Sequence, residues 1–126
     1  MTKPKFASSH DDNHYIPRDF LRDRCGGFES HKQGKSIAYT ANYRGYALTL
    51  FDMSECGGYM TDWLLAADNG KMVFIEVKTQ KAYDKENHDM TIGEQWTYRN
   101  GGAPVLFVVE DKDMQEILDC FMDIKS

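Results

Sequence analysis

Cysteine, basic residues and long apolar runs are all scarce in this 126-residue chain, and each scarcity excludes something. The three cysteines, Cys25, Cys56 and Cys120, are odd in number and far apart, with no Cys-x-x-Cys pair and no His at zinc-finger spacing. Neither a disulfide framework nor structural zinc is expected. Apolar stretches run to only a few residues, against the roughly 20 that a transmembrane helix needs, so no membrane span is expected. Met1-Thr-Lys-Pro-Lys-Phe lacks the apolar stretch and cleavage site of a secretory signal, which points to a cytoplasmic protein. The balance of 15 Lys and Arg against 20 Asp and Glu leaves a net charge of −5, at first sight a poor surface for nucleic acid. The distribution softens that objection. Residues 1–46 hold eight basic against five acidic side chains, whereas residues 110–126 hold two against six.

The apolar fraction of 41% is enough for one core, and the length suits one domain. Residues 1–14 are polar without an apolar period and read as a mobile N-terminal arm, leaving residues 15–126 as a single domain. Residues 16–24 suit a short helix closed by Gly26-Gly27. Ser30 and Gln33 at capping-box spacing, with Ile37, Ala38 and Ala41 on one stripe, predict a helix over residues 30–44. Residues 46–53 suit a strand. Residues 62–67 and 71–78 flank Asp68-Asn69-Gly70 and suit a hairpin, apolar on both faces, as in a sheet covered by helices on each side. A polar loop over residues 79–90 precedes the capping box Thr91-x-x-Glu94 and a helix ending at Gly101-Gly102. A buried strand is expected over residues 103–109. Met114, Ile117, Leu118, Phe121 and Met122 then mark an amphipathic helix. The expected class is α/β, a central mixed sheet flanked by helices in the order α-β-β-β-α-β-α.

Chemistry concentrates at the end of the strand 71–78. Glu76 and Lys78 point to one face and Val77 to the other. With a three-residue loop carrying a left-handed Gly70, Asp62 lies opposite Glu76, roughly 5 Å away, whereas a two-residue type I′ turn on Asn69-Gly70 would turn Asp62 away from it. Two carboxylates so close repel unless a cation lies between them, so Asp62, Glu76 and the Val77 carbonyl suit Mg²⁺ or Mn²⁺, with Lys78 steadying a water or a phosphate. A Glu-x-Lys salt bridge entering solvent is the plain alternative. The four His residues make no metal constellation, and Trp63 and Trp96 read as core.

The ordered context extends this reading. Asp62, the Glu76-Val77-Lys78 triplet, and Gln95 on the following capped helix resemble the PD-(D/E)XK nuclease superfamily over about residues 29–118, most closely small VRR-NUC and Holliday-junction-resolvase-like domains. The resemblance implies a restriction-endonuclease-like fold, Mg²⁺ or Mn²⁺, and hydrolysis of DNA phosphodiester bonds, with Asp62, Glu76, Lys78 and Gln95 as catalytic residues. It also implies a supporting metal carboxylate on the first helix, for which Glu29 is nearest. Tyr98 is similar to the Gln-x-x-x-Tyr element, one residue short. Thr61 stands where that pattern has Pro. Phosphate contacts are expected from Lys32, Lys35 and Arg44, with Arg18, Arg22 and Arg24 as further candidates in the basic third, and from Lys81 in the polar loop. A small domain has little surface for a long site, so structure-selective cutting, a homodimer or a DNA-delivering partner is expected. The rival class is a nucleic-acid- or protein-binding module that keeps the fold without catalysis.

Overall fold

The computed structural model describes residues 13–56, 58–101 and 104–124. Helix α1 spans Ile16–Arg24, followed by strands β1 (Gly26–Gln33), β2 (Ser36–Tyr43), β3 (Tyr46–Asp52), β4 (Trp63–Ala67) and β5 (Met72–Val77). Then come a short α2 (Gln80–Tyr83), a turn over Glu86–Asp89, α3 (Ile92–Asn100), β6 (Val105–Val108) and α4 (Asp111–Glu116), which widens into a π-helical turn over Ile117–Phe121. The six strands form one mixed sheet in chain order, antiparallel from β1 to β5, with β6 parallel to β5. The mixed α/β class and the helix over residues 16–24 are as expected; the strand count and the helix over residues 30–44 are not.

The helix expected over residues 30–44 is instead the β1–β2 hairpin. Gly34 takes φ 61°, the sign that the first central residue of a type II′ turn needs, and Gln33 pairs with Ser36 around it. Ile37, Tyr39, Ala41 and Tyr43 then share one face at a period of two. β-Branched and aromatic residues at that period outweigh a capping-box spacing that had no helix to cap. The next hairpin turns on Arg44 and Gly45, both left-handed at φ 54° and 85°.

One face of the sheet is buried from β2 to β6. Tyr39, Ala41, Leu48, Leu50, Trp63, Leu65, Val73, Ile75, Val77 and Val108 pack there against Phe20 and Leu21 of α1 and against Met114, Ile117, Leu118 and Met122 from the C-terminal segment. The π turn has a consequence for that last element. The Met122 N–H reaches the Ile117 carbonyl at 2.9 Å, five residues back, and the wider turn sends Phe121 out to 47% exposure while Met122 stays buried. Phe121 therefore leaves the expected apolar stripe.

Among the described residues the opposite face is covered only over β5 and β6. Tyr83 stacks on His88 at 4.2 Å, both rings lie on Phe107, and Tyr98 of α3 reaches the same ring. Towards β3 that face opens, with Thr40, Thr49, Leu64 and Ala66 half-buried and Phe51 exposed. Helices on each side of the sheet are thus present but unequal. Among the described residues no helix is long and apolar enough to cross a membrane.

Candidate functional site

The β4–β5 hairpin adopts the three-residue loop. The Ala67 N–H bonds the Lys71 carbonyl, Gly70 sits at φ 88°, and Trp63 pairs with Ile75. Continuing that register sets Asp62 opposite Glu76. The Asp62 N–H donates to Glu76 Oε1 at 3.2 Å, and the Val77 N–H donates to Asp62 Oδ2 at 2.8 Å. Val77, expected to act through its carbonyl, thus meets Asp62 through its N–H. Lys78 Nζ lies 3.4 Å from Glu76 Oε2 and donates to the Asp89 carbonyl at 3.2 Å. Asp62, Glu76 and Lys78 are brought together at one end of the sheet.

Glu76 is only 2% exposed. Burial, then the neighbouring Asp62 and Glu94 carboxylates, push its carboxyl up to about 8, against the pull of Lys78. Near neutral pH this carboxyl keeps its proton.

Glu94 is a site residue that the sequence reading missed. Its side chain closes the capping box of α3, accepting from the Thr91 N–H at 3.0 Å, and its carboxylate lies near enough to Glu76 to help raise that carboxyl. Gln95, the residue expected from α3, instead donates its amide to the Met90 carbonyl at 3.1 Å and braces the loop that holds Lys78. The capping box carried the signal: it fixes where the helix starts, and so which side chain faces the strand end. Two contacts hold α3 there. A Cβ on Gly93 would stand 2.3 Å from the Gly58 carbonyl oxygen, so only glycine permits this approach. Thr97 Oγ1 donates to the Tyr59 carbonyl. Thr61, in the position of the family's Pro, is buried and donates to the Trp63 carbonyl at 2.9 Å.

A second missed residue is His14. Its ring packs on Tyr15 and Trp63, with Nδ1 4.0 Å from Asp62 Oδ1, and its carbonyl accepts from Trp63 Nε1. Asn13 Nδ2 donates to the carbonyls of Lys78 and Val109 at 3.2 and 3.3 Å. The expected arm lies outside the described residues as far as Asp12, and its last two residues are held against the site. Nothing local in the sequence marks that docking.

Other candidates are placed elsewhere. Glu29 lies on β1, three strands from β4, exposed and 3.9 Å from His31. A spacing of roughly 4.8 Å per strand keeps it from the pair. Arg44 is paired to Asp119 at 2.8 Å, behind the buried face. Arg18, Arg22 and Arg24 are likewise paired with Asp19, Asp23 and Asp111. Lys81 on α2 and Tyr98 on α3 are exposed on the site's side of the sheet. Lys32 lines a groove of about 320 Å³ with His31, Phe51, Met53 and Cys56, and Lys35 is in the adjoining turn. That groove shares the sheet end of the carboxylates: the Met53 N–H bonds the Asp62 carbonyl at 3.0 Å. Trp63 is core as expected, but Trp96 is 54% exposed.

Among the described residues no three His, Cys, Asp or Glu side chains are gathered as a ready metal cage. The donor chemistry nonetheless suits a hard divalent ion, because a buried carboxylate beside two others retains a proton that such a cation replaces. No family model, curated protein or solved structure matches the chain.

Proposed function

We propose that this protein is a metal-dependent DNA nuclease of PD-(D/E)XK type, acting in the cytoplasm with its cysteines reduced. The observation that carries the reading is the convergence of Asp62, buried Glu76 and Lys78 at one end of the mixed sheet, with a third carboxylate, Glu94, delivered by the helix between β5 and β6. A sheet ending in a parallel β5–α3–β6 crossover fits a restriction-endonuclease-like topology. Asp62 and Glu76 would hold Mg²⁺ or Mn²⁺, with Glu94 as the next carboxylate once its cap opens. The ion supplies Lewis-acid activation of water and neutralises charge on the scissile phosphate. Lys78 aims an ammonium at the same point, where it orients the water or stabilises developing charge on phosphate. Gln95 acts one step removed, by bracing the loop whose Asp89 carbonyl positions Lys78.

Incubating plasmid, single strands, linear duplex and a four-way junction with Mg²⁺, Mn²⁺ or EDTA tests the reading. Cleavage that needs metal and disappears in Asp62→Ala is expected. The second reading, a binding module without catalysis, draws on Thr61 in place of Pro and the net charge of −5. It predicts DNA binding with no cleavage under any ion.

A further inference from the structure

Two aromatic side chains beside the carboxylates are not used in packing the core. Tyr59 is 62% and Trp96 54% exposed, their rings meet edge to face at 5.6 Å, and Ile92, one turn before Trp96, is 86% exposed. Arg99 follows Trp96 by three residues on the same helix face. The pair is fixed to the site, since Gly93 against Gly58 and Thr97 against the Tyr59 carbonyl clamp α3 to the β3–β4 loop, while Glu94 from the same turn reaches Glu76. Arg99 differs from the arginines elsewhere. The arginines of α1 and Arg44 are committed to carboxylates, whereas Arg99 is exposed and in no ion pair among the described residues.

We infer that Tyr59 and Trp96 form a stacking platform for unpaired bases, with Arg99 supplying a phosphate contact, so that the nuclease takes single-stranded or flapped DNA rather than plain duplex. The inference rests on the nuclease reading for its substrate. Every base has a π face, and only an unpaired base can offer it to an exposed ring. An uncommitted cation on the same helix face as Trp96 favours a polyanion over an apolar protein surface, which needs no such charge. With Arg99 as the cation at the rings, stacking carries most of the affinity. Salt dependence is therefore shallow, a log–log slope of about −0.7 for one phosphate on a single strand.

The test is fluorescence anisotropy of a labelled oligo-dT titrated with the full chain in EDTA. Tyr59→Ala and Trp96→Ala should each weaken binding roughly 5- to 150-fold, the range for loss of one stacked base. Trp96→Phe should restore most of it, and unlabelled duplex of equal length should compete poorly. Circular dichroism checks that each variant folds. Equal competition by duplex, or undiminished binding by Trp96→Ala, overturns the proposal. So does a failure to bind oligo-dT accompanied by self-association that Trp96→Ala abolishes, which makes the patch a protein interface. The cleavage assay on the unaltered protein separates the two readings: oligo-dT binding while no substrate is cut upholds the platform and fails the nuclease.

Discussion

The two faces of the sheet obey different rules. The face under α1 and α4 is apolar from β2 to β6 and closed to water, and its residues are replaceable only by others of like volume. The opposite face carries Thr40 and Thr49 in its open part and Glu76 in its closed part, where the burial of a carboxylate is a stability cost. One face is built for packing; the other trades stability for a site. Most of that trade is local to the few residues around β5.

The sharpest contrast comes from Leu50→Ala on the closed face, which should cost about 3 to 5 kcal/mol in urea denaturation through lost burial and a cavity. A small loss there would mean that the closed face is not the core. Next, Lys78→Ala should keep the fold and most Mn²⁺ binding yet slow cleavage roughly 100-fold or more; unchanged turnover removes Lys78 from the mechanism.

Glu76 gives the third prediction, with its sign fixed by linkage. Unfolded, its carboxyl titrates near 4.5; folded, it holds its proton up to about 8. Between those values the folded state binds the extra proton, so metal-free stability should fall as pH rises from about 5 to 8 and level off above. The fall should be about 4 kcal/mol, and Glu76→Gln should remove it and stabilise the protein in EDTA at pH 8. If Glu76→Gln instead destabilises at that pH, the Glu76–Lys78 ion pair outweighs carboxylate repulsion and the metal site loses its support.

Gly93→Ala should cost about 1 to 2 kcal/mol, because its methyl meets the Gly58 carbonyl and α3 must shift. It should also reduce cleavage by moving Glu94. Smallest of all, Thr49→Val on the open face should stay within about 0.5 kcal/mol; a loss as large as that of Leu50→Ala would end the distinction between the faces.

The sequence alone marked the β4–β5 hairpin through Asp68-Asn69-Gly70, while the structure chose the three-residue loop over a two-residue turn on Asn69-Gly70, and with it the opposition of Asp62 and Glu76, because strands apolar on both faces leave either register able to bury a face. The sequence also determined α3 and its start, through a capping box that depends on neighbours in the chain. Residues 30–44 were legible only in part. Both periods were present in Ile37, Ala38, Tyr39 and Ala41, and the choice fell to pairing with β3, a contact between distant segments. Tertiary structure alone decided that Glu94 meets Glu76, that His14 borders Asp62, that Arg44 is spent on Asp119, and that Trp96 faces outward. Each of these depends on how a helix, strand or terminal segment docks. Docking is set by the summed burial and close approach of surfaces far apart in the chain, such as Gly93 on Gly58, and no local pattern records it.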